Sequence, residues 1–301
     1  MGPKIILQCA KAGNRASPAF RPFYCPAGRA SLAAFRALAL AVVLLLVPAA
    51  AHAAIQLTGG LTKEFEVEPG RSYEGSIEIK NPEDGPREVK AFQTDYFFYA
   101  DGRALYEEAG SQARSNAPWI IVSPSQVVIP AGETVSIHFS IQVPDDATMK
   151  GTYWSTIIVE PVPESSPEST LNAATEPGLG IRQTLRYAVQ IVTHIGTTGS
   201  RSLKFNQVAL KSEEGKRILN IDAENTGERW LRGSLWMELY DSSGVSLGKF
   251  DGGRQRMYPG TSARFTVDLT DVKGATYKAL VVVDCGGDDV FGANLSLALT
   301  E

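Results

Sequence analysis

Histidine and cysteine, the side chains most often used for acid–base chemistry and metal binding, are scarce here, at three each in 301 residues. His52, Cys9 and Cys25 fall within the first 53 residues, which leaves His138, His194 and Cys285 for the rest. No Gly-x-Ser-x-Gly elbow, phosphate-cradling loop, dinucleotide fingerprint or metal-spaced His/Cys cluster occurs. With no nucleophile–base pair to place, the chain reads as non-enzymatic, with no cofactor and no metal. One Cys in a secreted body allows no internal disulfide, so the fold must hold together by burial. Long apolar runs are missing too. The longest, residues 37–47, is about half the ~20 residues a spanning helix needs, and no window shows a helical period.

What precedes residue 54 reads as a leader. It carries Lys4, Lys11, Arg15, Arg21, Arg29 and Arg36 with no acidic residue, then the short apolar run, then Ala51-His52-Ala53. This is the layout of a secretory signal peptide cut after Ala53, so residues 1–53 are expected to leave and the product to be exported. Without those six cations, 23 basic residues face 33 acidic ones, a net charge near −10 against −4 for the whole chain. An acidic product has no electrostatic case for nucleic acid or anionic lipid, and no membrane insertion is expected after cleavage.

The remainder alternates between short runs rich in Val, Ile, Tyr, Phe and Thr and turn signals about every ten residues. Strands are expected at 63–68, 73–80, 87–99, 118–129, 133–143, 151–160 and 181–195. A second set is expected at 202–211, 216–225, 229–240, 245–250, 261–269, 275–284 and 290–299. This spacing predicts an all-β chain of two tandem immunoglobulin-like β-sandwich domains, at 54–197 and 198–301. A faint repeat supports the division: strand, Asn turn, Gly, strand at 76–92 and again at 219–239. A Pro-Gly corner also leads into an alternating strand three times, at Pro69-Gly70, Pro130-Ala131-Gly132 and Pro259-Gly260.

The longest alternation is 181–196, IRQTLRYAVQIVTHIG, with Leu185, Tyr187, Val189 and Ile191 on one face and His194 on the other, mostly polar one. A loop too rich in Pro, Ser and Glu to pack a core precedes it. His138 reads as a solvent-facing strand residue. Asp284, Asp288, Asp289 and Asn294 could gather oxygen ligands for Ca²⁺. Their spacing matches no calcium loop, however, and an acidic Gly-rich turn between two strands explains them as well. The aromatic run 96–99 would put rings on both faces of a strand, to cover an edge or cleft or to bind a glycan or protein.

The order of features across residues 118–195 resembles the PapD-like family of periplasmic pilus-assembly chaperones. The residues that carry it are Trp119-Ile120-Ile121-Val122-Ser123-Pro124, Val127-Val128-Ile129-Pro130-Ala131-Gly132, the segment 151–164 and the alternating strand through Leu185 and Ile191. The resemblance implies that partner subunits of the pilin type are held by strand addition. Leu185, Tyr187, Val189 and Ile191 would be the donor residues. It further implies two basic residues that anchor a terminal carboxylate: Lys63 matches one, and His194 stands near where the family has a lysine. The competing reading is a structural or adhesive envelope protein of the same fold, which would bind a surface polymer or a neighbouring protein through residues 96–99.

Overall fold

A computed structural model describes residues 55–163, 166–171 and 184–299. The expected leader, residues 1–53, and residues 181–183 of the expected long strand lie outside the described residues. Among the described residues no helix is long and apolar enough to cross a membrane.

Among the described residues, ten strands build the first sandwich. They are β1 (Gln56–Thr58), β2 (Thr62–Val67), β3 (Ser72–Lys80), β4 (Arg87–Phe98), β5 (Ala104–Glu108), β6 (Ile120–Ser123), β7 (Gln126–Ile129), β8 (Thr134–Gln142), β9 (Gly151–Pro161) and β10 (Tyr187–Ile195). One sheet runs β1-β3-β8-β6, and the other runs β2-β10-β9-β4-β5, with β7 also paired to β4. Seven more strands build the second sandwich: β11 (Leu203–Glu213), β12 (Lys216–Asn225), β13 (Leu231–Tyr240), β14 (Ser246–Met257), β15 (Ser262–Asp268), β16 (Ala275–Asp284) and β17 (Val290–Leu299). Its sheets run β11-β12-β15 and β14-β13-β16-β17.

Alternation explains both cores. Ile77 and Ile79 on β3, Ile137, Phe139 and Ile141 on β8, Ile157 and Val159 on β9, and Val189 and Ile191 on β10 meet in one cluster. Leu219 and Ile221, Leu235, Met237 and Leu239, Phe265 and Val267, and Val281 and Val283 meet in another. Burying each such side chain stabilises the fold by about 1.5–3 kcal/mol, so each sandwich carries its own core.

The repeated Asn turn performs the same task in both halves. Asn81 and Asn225 are fully buried. The Asn81 amide donates to the carbonyls of Gly85, Ile129 and Pro130, and that of Asn225 donates to those of Arg229 and Met257. Each turn is thereby tied to the Pro-Gly corner further along the chain. In all three corners the glycine takes positive φ, at +72° for Gly70, +72° for Gly132 and +77° for Gly260, a conformation that glycine adopts without steric cost.

Several expected strands differ in detail. The stretch 118–129 divides into a 3₁₀ turn (Ala117–Trp119), β6 and β7. Pro124 lies at the division, where the chain leaves β8's sheet for β4's, and a proline cannot donate to either ladder. The strand expected at 245–250 runs from Ser246 to Met257, with one register shift at Leu247 and a second, on its continuation, at Gly252. Gly252 permits this, because a Cβ there would lie 2.3 Å from the Leu235 side chain. The expected strand 181–195 begins as a strand only at Tyr187.

Gly75 faces Phe139 across the β3–β8 ladder, and a Cβ at this position would sit 2.3 Å from the buried ring. We expect Gly75→Ala to lower stability in urea unfolding by about 1–3 kcal/mol, and Phe139→Leu in the same chain to restore part of the loss. Unchanged stability in Gly75→Ala would contradict this packing.

Candidate functional site

β10 has two faces with different occupants. Val189 and Ile191 point into the first core and are fully buried. Gln190, Val192 and His194 point the other way, onto the second sandwich. There Val192 and Trp154, directly opposite each other on β10 and β9, form a cluster with Tyr258, bordered by Phe97, Phe98 and Trp230. The Tyr258 ring stacks on Trp154 with centroids 4.9 Å apart and planes 14° apart. The Tyr258 hydroxyl donates to Gln190 Oε1 at 2.6 Å. Burial pushes the Tyr258 hydroxyl up to about 12, so it remains a donor at physiological pH.

Two arginines of the second sandwich flank these rings. Arg229 donates to the carbonyls of Gly196 (2.7 Å) and Thr198 (3.1 Å) in the connection between the sandwiches. Arg256 donates to Thr62 Oγ1 at 2.9 Å, pairs with Glu64 at 3.3 Å and lies 4.6 Å over the Trp230 ring. His194 closes the row. Its Nδ1 is 2.9 Å from Thr152 Oγ1, which also accepts from the Trp230 N–H, and its ring is 5.1 Å from that of Trp230.

The residues expected to bind a partner are therefore separated. Val189 and Ile191 cannot be exposed donors, because they fill their own sandwich. Leu185 is 47% exposed and precedes the strand. Tyr187 is half-buried and donates its hydroxyl to the Ile55 carbonyl at 3.0 Å. Lys63 and His194 do not form a pair. Parallel pairing puts Lys63 beside Ile191 and His194 beside Glu66, so the two side chains leave opposite faces of the sheet. His194 is buried against Trp230 rather than presented on a polar surface. The rings at 96–99 do not form a free binding face either: Phe97 packs on Trp154 at 5.3 Å and Phe98 on Tyr258 at 5.9 Å.

The backbone of β10 has an unequal pair of flanks. β9 pairs with it from Tyr187↔Val159 to Ile195↔Gly151. β2 pairs only from Gln190↔Thr62 to Ile195↔Val67. The Gln190 N–H donates to the Leu61 carbonyl at 2.8 Å, so even-numbered residues direct their backbone groups to the β2 flank. Two residues earlier, Ala188 directs its N–H and C=O to the same flank, where no strand among the described residues pairs with it. β2 cannot continue along it, because the chain crosses to the other sheet at Gly59 and Gly60, between β1 and β2.

Part of the preceding loop is tied down. Glu88, buried on β4, accepts from the Thr170 N–H (2.8 Å) and hydroxyl (2.6 Å), the Ser169 hydroxyl (2.9 Å) and Gln126 (2.9 Å). Burial alone would raise its pKa, but these donors together hold it down to about 2. The acidic turn before β17 is engaged internally: Asp284 accepts from the Gly286 N–H and Asp289 pairs with Arg201. Cys285 is a free thiol, half-buried, which burial and the neighbouring Asp289 and Asp284 push up to about 11.

Burial, then the charges of Arg229, Arg201 and Arg256, lower the pKa of His194 from 6.5 to about 4. The unfolded chain thus binds the proton first. The stability that the neutral ring confers is complete above pH 6.5 and is lost as pH falls toward 4. Between pH 7 and 5 the loss should reach at most ~2 kcal/mol in urea unfolding, and His194→Gln should remove most of that slope. An equal slope in His194→Gln would contradict the assignment.

No protein-family model matches the chain, and no curated protein sequence matches it. Solved structures similar to it include a chain of a chaperone–tip adhesin complex of CFA/I fimbriae biogenesis, at 15% identity and TM-score 0.44, covering 82% of this chain and 100% of that one. Another belongs to the CsuC–CsuE chaperone–tip adhesion subunit complex of Acinetobacter baumannii Csu pili, at 15% identity and TM-score 0.41, covering 80% and 98%. A third belongs to the Salmonella enterica SafA pilin–SafB chaperone complex, at 14% identity and TM-score 0.40, covering 82% and 99%.

Proposed function

We propose that this chain is a non-enzymatic periplasmic chaperone of the pilus-assembly type, which holds partner subunits by strand addition at the open flank of β10. The observation that carries the reading is that flank, which no strand among the described residues fills, on a strand that β9 pairs along its whole length and whose two faces are covered from Val189 onward. The order of sequence features across residues 118–195 supports it. In this reading the leader is removed near Ala53, and the exported chain comprises modules at 54–197 and 198–301. The backbone groups of Ala188 and Arg186 supply the ladder to the partner strand, and the exposed Leu185 supplies its apolar contact. Lys63, which forms no ion pair among the described residues, is retained as a carboxylate anchor. His194 has no contact with the partner and instead sets the junction.

The free flank suggests a variant that leaves the fold alone. The Ala188 N–H takes no part in the β9 ladder, so Ala188→Pro removes a donor that only a partner strand uses. In pull-downs from the periplasm of the producing cell, Ala188→Pro and Leu185→Glu should each recover bound subunits at least ~10-fold less well than wild type, the effect of losing about 1.4 kcal/mol. Their circular dichroism should be unchanged. An unchanged set and yield of partners would overturn the reading.

A further inference from the structure

The outer flank of β17 is an edge that no strand among the described residues pairs with, and it differs from the other edges. Edge strands are normally protected by charge, proline, bulges or shortness, because unpaired N–H and C=O groups attract further strands. β14, at the opposite edge of the same sheet, carries Lys249, Asp251, Arg254 and Arg256 and two register shifts. β11 has Lys204, Lys211, Glu213 and a shift between Phe205 and Gln207. β15 has Arg264 and Asp268, and β5 has Glu107 and Glu108. β1 has 3 residues and β6 has 4.

β17 has none of these devices. Its 10 residues, VFGANLSLAL, include no charge and no proline. Its register with β16 runs unbroken from Asp284↔Val290 to Ala275↔Leu299. Among the described residues β16 alone pairs with it. Along its inward face Leu297 and Leu299 are buried, whereas Phe291, Ala293 and Leu295 are only half covered, as expected where a neighbouring strand is absent.

We propose that β17 pairs antiparallel with β17 of a second copy of this chain, joining two four-stranded sheets into one continuous sheet. Antiparallel pairing of identical strands is twofold symmetric, so each contact is made twice. A register centred on Asn294 matches large side chains with apolar or small ones. Phe291 then faces Leu297, Ala293 faces Leu295, Gly292 faces Ser296 and Val290 faces Ala298. No charge meets a like charge along the strand, which matters in a chain with an excess of acidic residues. Other occupants, such as a strand of an unrelated protein, would gain nothing from this self-matching order.

The test uses the purified chain. Sedimentation equilibrium should show a concentration-dependent dimer that strengthens with salt, as net acidic repulsion is screened. Asn294→Lys places two ammonium groups opposite each other and should weaken the dimer at least ~10-fold, with circular dichroism unchanged. Paired positions across a ladder lie about 4.5–5.5 Å apart at Cα, within disulfide reach. Asn294→Cys in a Cys285→Ser background should therefore oxidise to a covalent dimer much faster than Val245→Cys, an exposed control. A monomer at all concentrations, a dimer indifferent to Asn294→Lys, or oxidation no faster than the control would overturn the proposal. Capture of a different protein by the Asn294→Cys variant in an extract of the producing cell, in place of a second copy, would also overturn it. None of these outcomes depends on the flank of β10.

Discussion

The buried ring of Tyr258 is the contact on which the arrangement of the two sandwiches depends. It stacks on Trp154, meets Phe98 edge-on and donates to Gln190, and so joins three strands of the first sandwich to the end of β14. A ring stacked in this way contributes about 0.5–1.5 kcal/mol beyond the area it buries. The flanking Trp230 and Arg256 extend the same contact toward His194 and Thr62. Gly151 lets the backbones meet at the far end: a Cβ there would lie 2.1 Å from the Glu228 carbonyl.

This junction decides what β10 can do. Val189 and Ile191 are committed to the first core, and Gln190, Val192 and His194 to the second sandwich, so neither face of this stretch is free for a partner. Among the described residues only the backbone flank before Gln190 remains, along with the exposed Leu185. A binding role for this strand is therefore a matter of main-chain hydrogen bonding first and side-chain contacts second. That division suits strand addition, in which the ladder gives affinity and alternate side chains give selectivity.

Period-two alternation located nearly all the long strands, because each has one face in a core and the other outside it. It missed β5, whose residues are mostly exposed on both faces, and β1, at 3 residues too short to show a period. The Asn turns and Pro-Gly corners were also legible, since their chemistry is local. The site was much less so. His194 read as part of a polar, solvent-facing surface, because alternation separates two faces without saying what covers each. The residues that cover it, Trp230 and Tyr258, lie far along the chain, with Tyr258 68 positions from Gln190. Lys63 and His194 could be placed on opposite faces only once the β2–β10 register was known. Trp230, following the second Asn turn, and Tyr258, beside the third Pro-Gly corner, carried no signal of a junction in their local pattern.

The account rests on Ala188 directing its backbone groups to a flank that no strand among the described residues fills, while Gln190 and Val192, directed the same way, are held by β2. Amide hydrogen exchange followed by NMR on the unliganded chain tests this directly. Ala188 should exchange at least ~100-fold faster than Val189, Gln190 and Val192, all of which sit in complete ladders. Protection of Ala188 equal to that of Val192 would mean that the flank is already closed, and would contradict the account.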